Sequence, residues 1–274
     1  MLIVSLNVLN LAIMKKIIIT LAALIISVGS ATAQVNKECL VLNQSGLVFE
    51  ANVALSSLIT ITDGHIKSIA EKLALVAATS EAQTGEWRKI KPLLTLIQKD
   101  EGDESTVWFA RPDGSYYSVD LGLTDKNLKD RSYFPDLMAG KATVGHLVIS
   151  KSTSEVSAII AVPIKKSGKV TGALGLSLFT KKLSVQIKEK MGLADNVVFF
   201  ALNSDYLTVI NFKPERVFLN PEKQDSSSMA KAMEEMISRE QGVIEYDFHG
   251  VRRIIFRKSA YTGWWYAIGL PVNK

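Results

Sequence analysis

Arg131 is the residue of this sequence best suited to gripping a small molecule. It stands in the run Asp130-Arg131-Ser132-Tyr133-Phe134. A guanidinium is planar, permanently charged, and presents its N–H donors as a fork that matches a carboxylate. Tyr133 and Phe134 could wall the same spot, and the Tyr133 hydroxyl can also bond a ligand. The plainer reading stays open beside this one. Arg131 would then pair with Asp130 or Asp136 on the surface, and Tyr133 and Phe134 would be the buried side of a short helix. Tyr117, on the strand after Arg111-Pro112-Asp113-Gly114, suits core packing or ligand contact equally well. His146, ahead of Leu147-Val148-Ile149, could face a pocket or solvent.

Catalytic arrangements fail one by one. His65, His146 and His249 are the three histidines, and no two have the i, i+4 spacing of a helical metal pair. No Gly-x-Ser-x-Gly elbow occurs, and the run from Gly172 to Ser177 puts its serine in a strand. Gly172 and Gly175 lack the helix start and the lysine of a phosphate loop. Cys39 is the sole cysteine, so no intrachain disulfide forms, and no histidine lies near it in sequence. The residues call for binding and not catalysis, with no metal and no cofactor.

The elements that must position these residues read as α+β. Val48 to Ser80 is mainly helical, because Ile66, Ile69, Leu73 and Val76 recur at three- and four-residue spacing, with a break or bend expected at Asp63-Gly64. A second helix runs from Trp87 to Lys99 and ends at Glu101-Gly102-Asp103. The period then changes to that of strands. Thr106 to Ala110 and Tyr116 to Val119 flank a Pro-Asp-Gly turn. Ser132 to Ala139 is a short helix stopped by Gly140. Thr143 to Ser150, Val156 to Lys165 and Lys169 to Phe179 are strands, the last two joined tightly at Lys166-Ser167-Gly168. After a linking helix from Thr180 to Met191, the pattern repeats in smaller form. Strands Val197 to Leu202 and Tyr206 to Asn211 precede a helix near Met229 to Ser238. Strands Val243 to Phe248, Arg252 to Ala260 and Trp264 to Leu270 close the chain. Hairpin-joined strands with helices interposed argue against a parallel sheet.

The first residues carry an export signal. Met14-Lys15-Lys16 is a short basic start, Ile17 to Val28 is apolar, and Ser30-Ala31-Thr32-Ala33 supplies the small residues of a cleavage site. The segment 1–33 is therefore read as a signal peptide, with Met14 as the true start; an uncleaved anchor is the rival. The expected compartment is the periplasm. Removal of two lysines with that segment takes the net charge from +5 to +3, too small an excess to suggest nucleic acid.

With these residues in place, the chain resembles the double Cache family, the extracellular sensor modules of bacterial chemoreceptors and histidine kinases. Asp113-Gly114-Ser115-Tyr116-Tyr117, Asp130-Arg131-Ser132-Tyr133-Phe134 and Thr262-Gly263-Trp264-Trp265-Tyr266 carry the resemblance, which spans roughly residues 45–272. It implies a long N-terminal helix beside two stacked PAS-like modules with antiparallel sheets. The implied division is a helical region 34–100, a membrane-distal module 101–183, a linking helix 184–194 and a membrane-proximal module 195–274. Ligand is expected in the distal module. Amino-acid-sensing members carry an Arg-x-Trp-Tyr run whose Arg grips the ligand carboxylate; here Arg131 is kept while Tyr133 and Phe134 replace the aromatics. Ser150 and Ser177 align where those members place acids for the ligand ammonium. A buried ammonium without a carboxylate is costly. An organic acid is accordingly expected in preference to an amino acid, with a separate membrane-bound kinase or chemoreceptor reading the bound state. A ligand-free docking module and a remnant receptor ectodomain are the alternatives. The long helix could pair with a second copy.

Overall fold

The computed structural model describes residues 41–44, 47–223 and 226–272 of the 274-residue chain. The signal segment 1–33, Met14 and Cys39 lie outside the described residues. A hairpin of β1 (Val41–Gln44) and β2 (Leu47–Glu50) leads into helix α1 (Ala51–Ala77). The helix thus begins at Ala51, because the residues from Leu47 to Glu50 pair as a strand.

Helix α1 buries Leu55, Leu58, Thr62, Ile66, Ile69, Leu73 and Ala77, one stripe at spacings of three and four. It does not break at Asp63-Gly64. Gly64 is exposed and costs about 1 kcal/mol in a helix interior, less than the buried side chains on either side recover. The Asp63 side chain faces outward to other elements. It accepts hydrogen bonds from Tyr266 Oη at 2.9 Å, Ser259 Oγ at 2.5 Å and Thr262 Oγ1 at 3.3 Å. A single turn, α2 (Ser80–Gln83), is capped by Thr79, whose Oγ1 accepts from the Ala82 N–H at 3.2 Å. Helix α3 (Trp87–Glu101) buries Ile90, Leu94 and Ile97 and ends at Gly102, where φ is +66°.

The first sheet contains β3 (Ser105–Ala110), β4 (Ser115–Ser118), β5 (Gly122–Asn127), β6 (Thr143–Ile149), β7 (Val156–Lys166) and β8 (Lys169–Phe179). Its order is β5-β4-β3-β8-β7-β6, with every pairing antiparallel. Strand β3 is buried along its whole length because both faces are covered. Val107 and Phe109 face the shared core with Ile66, Ile69 and Leu73 of α1. Trp108 and Ala110 face the other way, into a cluster with Tyr116, Tyr133, Phe134 and Leu137. The short helix α4 (Phe134–Met138) covers that second face.

Helix α5 (Thr180–Lys190) carries the chain to the second sheet. That sheet holds β9 (Val198–Leu202), β10 (Thr208–Asn211), β11 (Gln241–Asp247), β12 (Val251–Lys258) and β13 (Trp265–Pro271) in the order β10-β9-β13-β12-β11, also antiparallel. Phe199, Ile255, Tyr266 and Ile268 join the core under α1, so one apolar layer runs beneath both sheets. The opposite face packs against Met229, Met233 and Met236 of helix α6 (Ser227–Ile237). The two sheets also meet through Trp264. Its indole N–H donates to the Gly145 carbonyl at 3.1 Å. Gly145 sits at a bulge of β6 with φ of +74°.

Candidate ligand-binding site

The side chains that could hold a ligand gather on the α4-covered face of the first sheet. Strand parity puts them there. Trp108 opposes Gly175, Ala110 opposes Tyr116, and Ser177 opposes Ile159, which in turn opposes His146. The bulge at Gly145 is what turns His146 to this face, since Val144 before it lies on the core side. Trp108 lies flat over Gly175: a Cβ there would stand 2.1 Å from the indole. Its N–H donates to Ser177 Oγ at 3.2 Å. A serine that accepts in this way keeps its own hydroxyl hydrogen for another acceptor.

Arg131 enters from the segment between β5 and α4. One guanidinium nitrogen, Nη2, donates to the Ile149 carbonyl at 2.6 Å. Its Nε is buried with no hydrogen-bond partner, an uncommon state for a buried donor. The neighbouring acids are engaged elsewhere. Asp130 pairs with Lys151, and Asp136 pairs with Lys141 at 3.0 Å. The surface ion pair that Arg131 might have made is therefore not formed with either.

Tyr133 is buried against the His146 ring, edge-on at a centroid distance of 5.3 Å. Burial pushes its hydroxyl pKa well up, against the opposing charge of Arg131, so it stays a neutral donor. Burial likewise lowers the pKa of His146, with Asp205 pulling the other way. His146 Nε2 is 2.9 Å from Ser132 Oγ. Phe134 is buried in the same cluster. Ser150, also buried, closes the turn after β6: its Oγ accepts from the Thr153 N–H at 3.3 Å and lies 3.4 Å from Ser152 Oγ.

Arg131, Tyr133, Phe134, His146 and Ser177 thus border one face. Ser150 stands at its rim with its hydroxyl turned to the loop. Tyr117 is on the opposite side of the sheet. It stacks on Trp87 at 4.9 Å and accepts a hydrogen bond from Arg111 Nη2 at 2.7 Å. Adjacent strand residues point to opposite faces, and it is Tyr116 that joins Trp108 there, edge-on at 6.5 Å. No motif marks Tyr116 or Trp108 as a site residue, but counting in twos along the hairpin from Ser118, the partner of Trp108, reaches Tyr116 on the same face. Lys151 ties the loop after β6 to the segment before α4, donating to the Asn127 carbonyl at 2.7 Å and pairing with Asp130.

No family profile matches the sequence, and no curated protein matches it. Solved structures do resemble it. The ligand-binding domain of the Pseudomonas fluorescens chemoreceptor CtaA, in complex with L-alanine, is similar with a TM-score of 0.61 and 16% identity, covering 82% of this chain and 95% of that one. The sensory domain of the Campylobacter jejuni chemoreceptor Tlp3, with isoleucine bound, gives a TM-score of 0.58 at 14% identity over 81% of this chain and 89% of that one. The sensor domain of the V. cholerae histidine kinase DctB gives 0.57 at 12% identity, over 81% and 99%. The likeness fixes the fold. The chain has the double Cache architecture, an N-terminal helix beside two PAS-like antiparallel sheets.

Proposed function

We propose that this chain is a periplasmic small-molecule sensor that takes a small organic acid in its first module, residues 101–183, at Arg131. The observation that carries the reading is the buried Nε of Arg131, left without a partner while Nη2 is held by Ile149. A buried charged donor of this kind gains most from an anionic acceptor. A carboxylate oxygen at Nε, with the Ser177 hydroxyl and the neutral Tyr133 hydroxyl as further donors, would complete the set. Beside Arg131, the polar side chains gathered on this face are hydroxyls and a neutral imidazole, and the adjacent Asp130 is paired with Lys151. Asp205 acts on the His146 ring from the second module, and none of the side chains on the face itself is a carboxylate for an α-ammonium, which favours an acid over an amino acid.

The solved relatives include an L-alanine and an isoleucine complex, so the fold supports ligand capture while these residues alter the charge logic. The signal passes to a separate membrane-bound kinase or chemoreceptor, and the chain itself performs no chemistry. Among the described residues no helix is long and apolar enough to cross a membrane. The deciding experiment is a thermal-shift series on the purified protein with succinate, L-alanine and ethylamine, repeated on Arg131→Met. Succinate should raise the melting temperature saturably in the wild type and much less in the variant. Stabilisation by alanine alone, or an unchanged succinate midpoint in Arg131→Met, would refute the assignment.

A further inference from the structure

The second module has a cavity of its own on the α6 side of its sheet, about 40 Å³ in volume. A single water needs roughly 10–15 Å³ of such space, so the cavity admits a group of a few heavy atoms. Two arginines line it, Arg216 from the turn after β10 and Arg252 from β12. They are 36 positions apart in sequence and share the same two aromatic rings. The Arg216 guanidinium carbon is 4.7 Å from the Phe248 centroid and 6.0 Å from that of Phe212. The corresponding distances for Arg252 are 5.6 and 5.8 Å.

Two cations brought onto one aromatic pair repel each other. The pKa of Arg216 is lowered by burial and then by Arg252, the exposed Glu215 opposing. Among the described residues the nearby acids are occupied or turned outward. Glu245 pairs with Arg253, and the Asp247 carboxylate accepts from the Gly250 N–H at 3.1 Å. Burial keeps the Tyr246 hydroxyl in its protonated form at the same cavity. Phe200, Met229 and Met233 give the cavity an apolar wall, beside the buried polar Thr208 and Asn211.

We infer that this cavity is a second anion site, in which Arg216 and Arg252 hold the carboxylate of a short aliphatic acid and its tail lies against Met229, Met233 and Phe200. The two guanidiniums supply the charge, and the apolar wall selects an organic acid over an inorganic oxyanion. The site is independent of Arg131, which lies in the other module.

The test uses propionate and inorganic phosphate as probes, with calorimetry and thermal shift on the wild type, Arg216→Met, Arg252→Met and Arg131→Met. Propionate should bind the wild type and Arg131→Met alike, and at least tenfold more weakly in each of the other two. Without ligand, Arg216→Met and Arg252→Met should melt no lower than the wild type, since each removes one of two like charges. If the arginines serve packing alone, both variants melt lower and propionate affinity does not change; that result overturns the inference. Loss of propionate binding in Arg131→Met alone overturns it too, by assigning the acid to the first module. Binding of phosphate without propionate overturns the selection of an organic acid.

Discussion

Replacing Asp63 with alanine removes the acceptor on which three side chains of the second module converge. Tyr266 is fully buried, and its hydroxyl donates to Asp63 Oδ1 at 2.9 Å. Stranding a buried donor costs about 1–3 kcal/mol. Ser259, also buried, and Thr262 lose bonds of 2.5 and 3.3 Å to the same carboxylate; a hydroxyl that can turn to another acceptor or to water recovers part of its loss. Hydrogen bonds to one group are not additive, so the expected destabilisation of Asp63→Ala is about 3 kcal/mol. Asp63→Asn keeps one oxygen acceptor and should lose about 1 kcal/mol. Urea unfolding reads both as a lower midpoint at constant slope. A double-mutant cycle with Tyr266→Phe should return a coupling of about 1–2 kcal/mol. An Asp63→Ala protein within about 0.5 kcal/mol of wild type, or strict additivity with Tyr266→Phe, would refute the view that this carboxylate fastens the long helix to the second module.

Gly145→Ala should cost about 2–3 kcal/mol, because φ is +74° and the new Cβ would stand 3.0 Å from the Trp264 ring; equilibrium denaturation with tryptophan fluorescence checks it. Acidification should destabilise the fold through His65 and His146. Burial lowers both from the ordinary value of 6.5, so the unfolded chain binds the proton more readily. The stabilisation is fully present above pH 6.5 and is lost as the pH falls through the lower folded values. Melting temperatures measured from neutral to mildly acidic pH should therefore fall, and His146→Gln should flatten part of that slope.

The helices and most strands were legible because their apolar periods are clean, as in the Ile66, Ile69, Leu73 stripe. Strand β5 was not. Its sequence Gly122-Leu-Thr-Asp-Lys-Asn127 has one weakly apolar face, and it lies at a sheet edge where little is buried. The bend expected at Asp63-Gly64 is absent because tertiary hydrogen bonds use the aspartate and burial on both sides carries the glycine. At the site, Arg131, Tyr133, Phe134 and His146 could be picked out by type, but only the strand register separates Tyr116 from Tyr117. Arg216 and Arg252 left no local signal at all, since neither has a motif around it and it is the folded sheet that joins them.

The Gly145 bulge has a mechanical consequence. The carbonyl that Trp264 holds belongs to the peptide bond that begins His146. A peptide unit is planar and turns as one rigid plate. A ligand that turns the peptide plane entering His146 on the first sheet swings that carbonyl with it, and either carries the Trp264 indole along or breaks the bond. A ring wall of the candidate site and the clasp between modules are thus two ends of one crank, a single residue long.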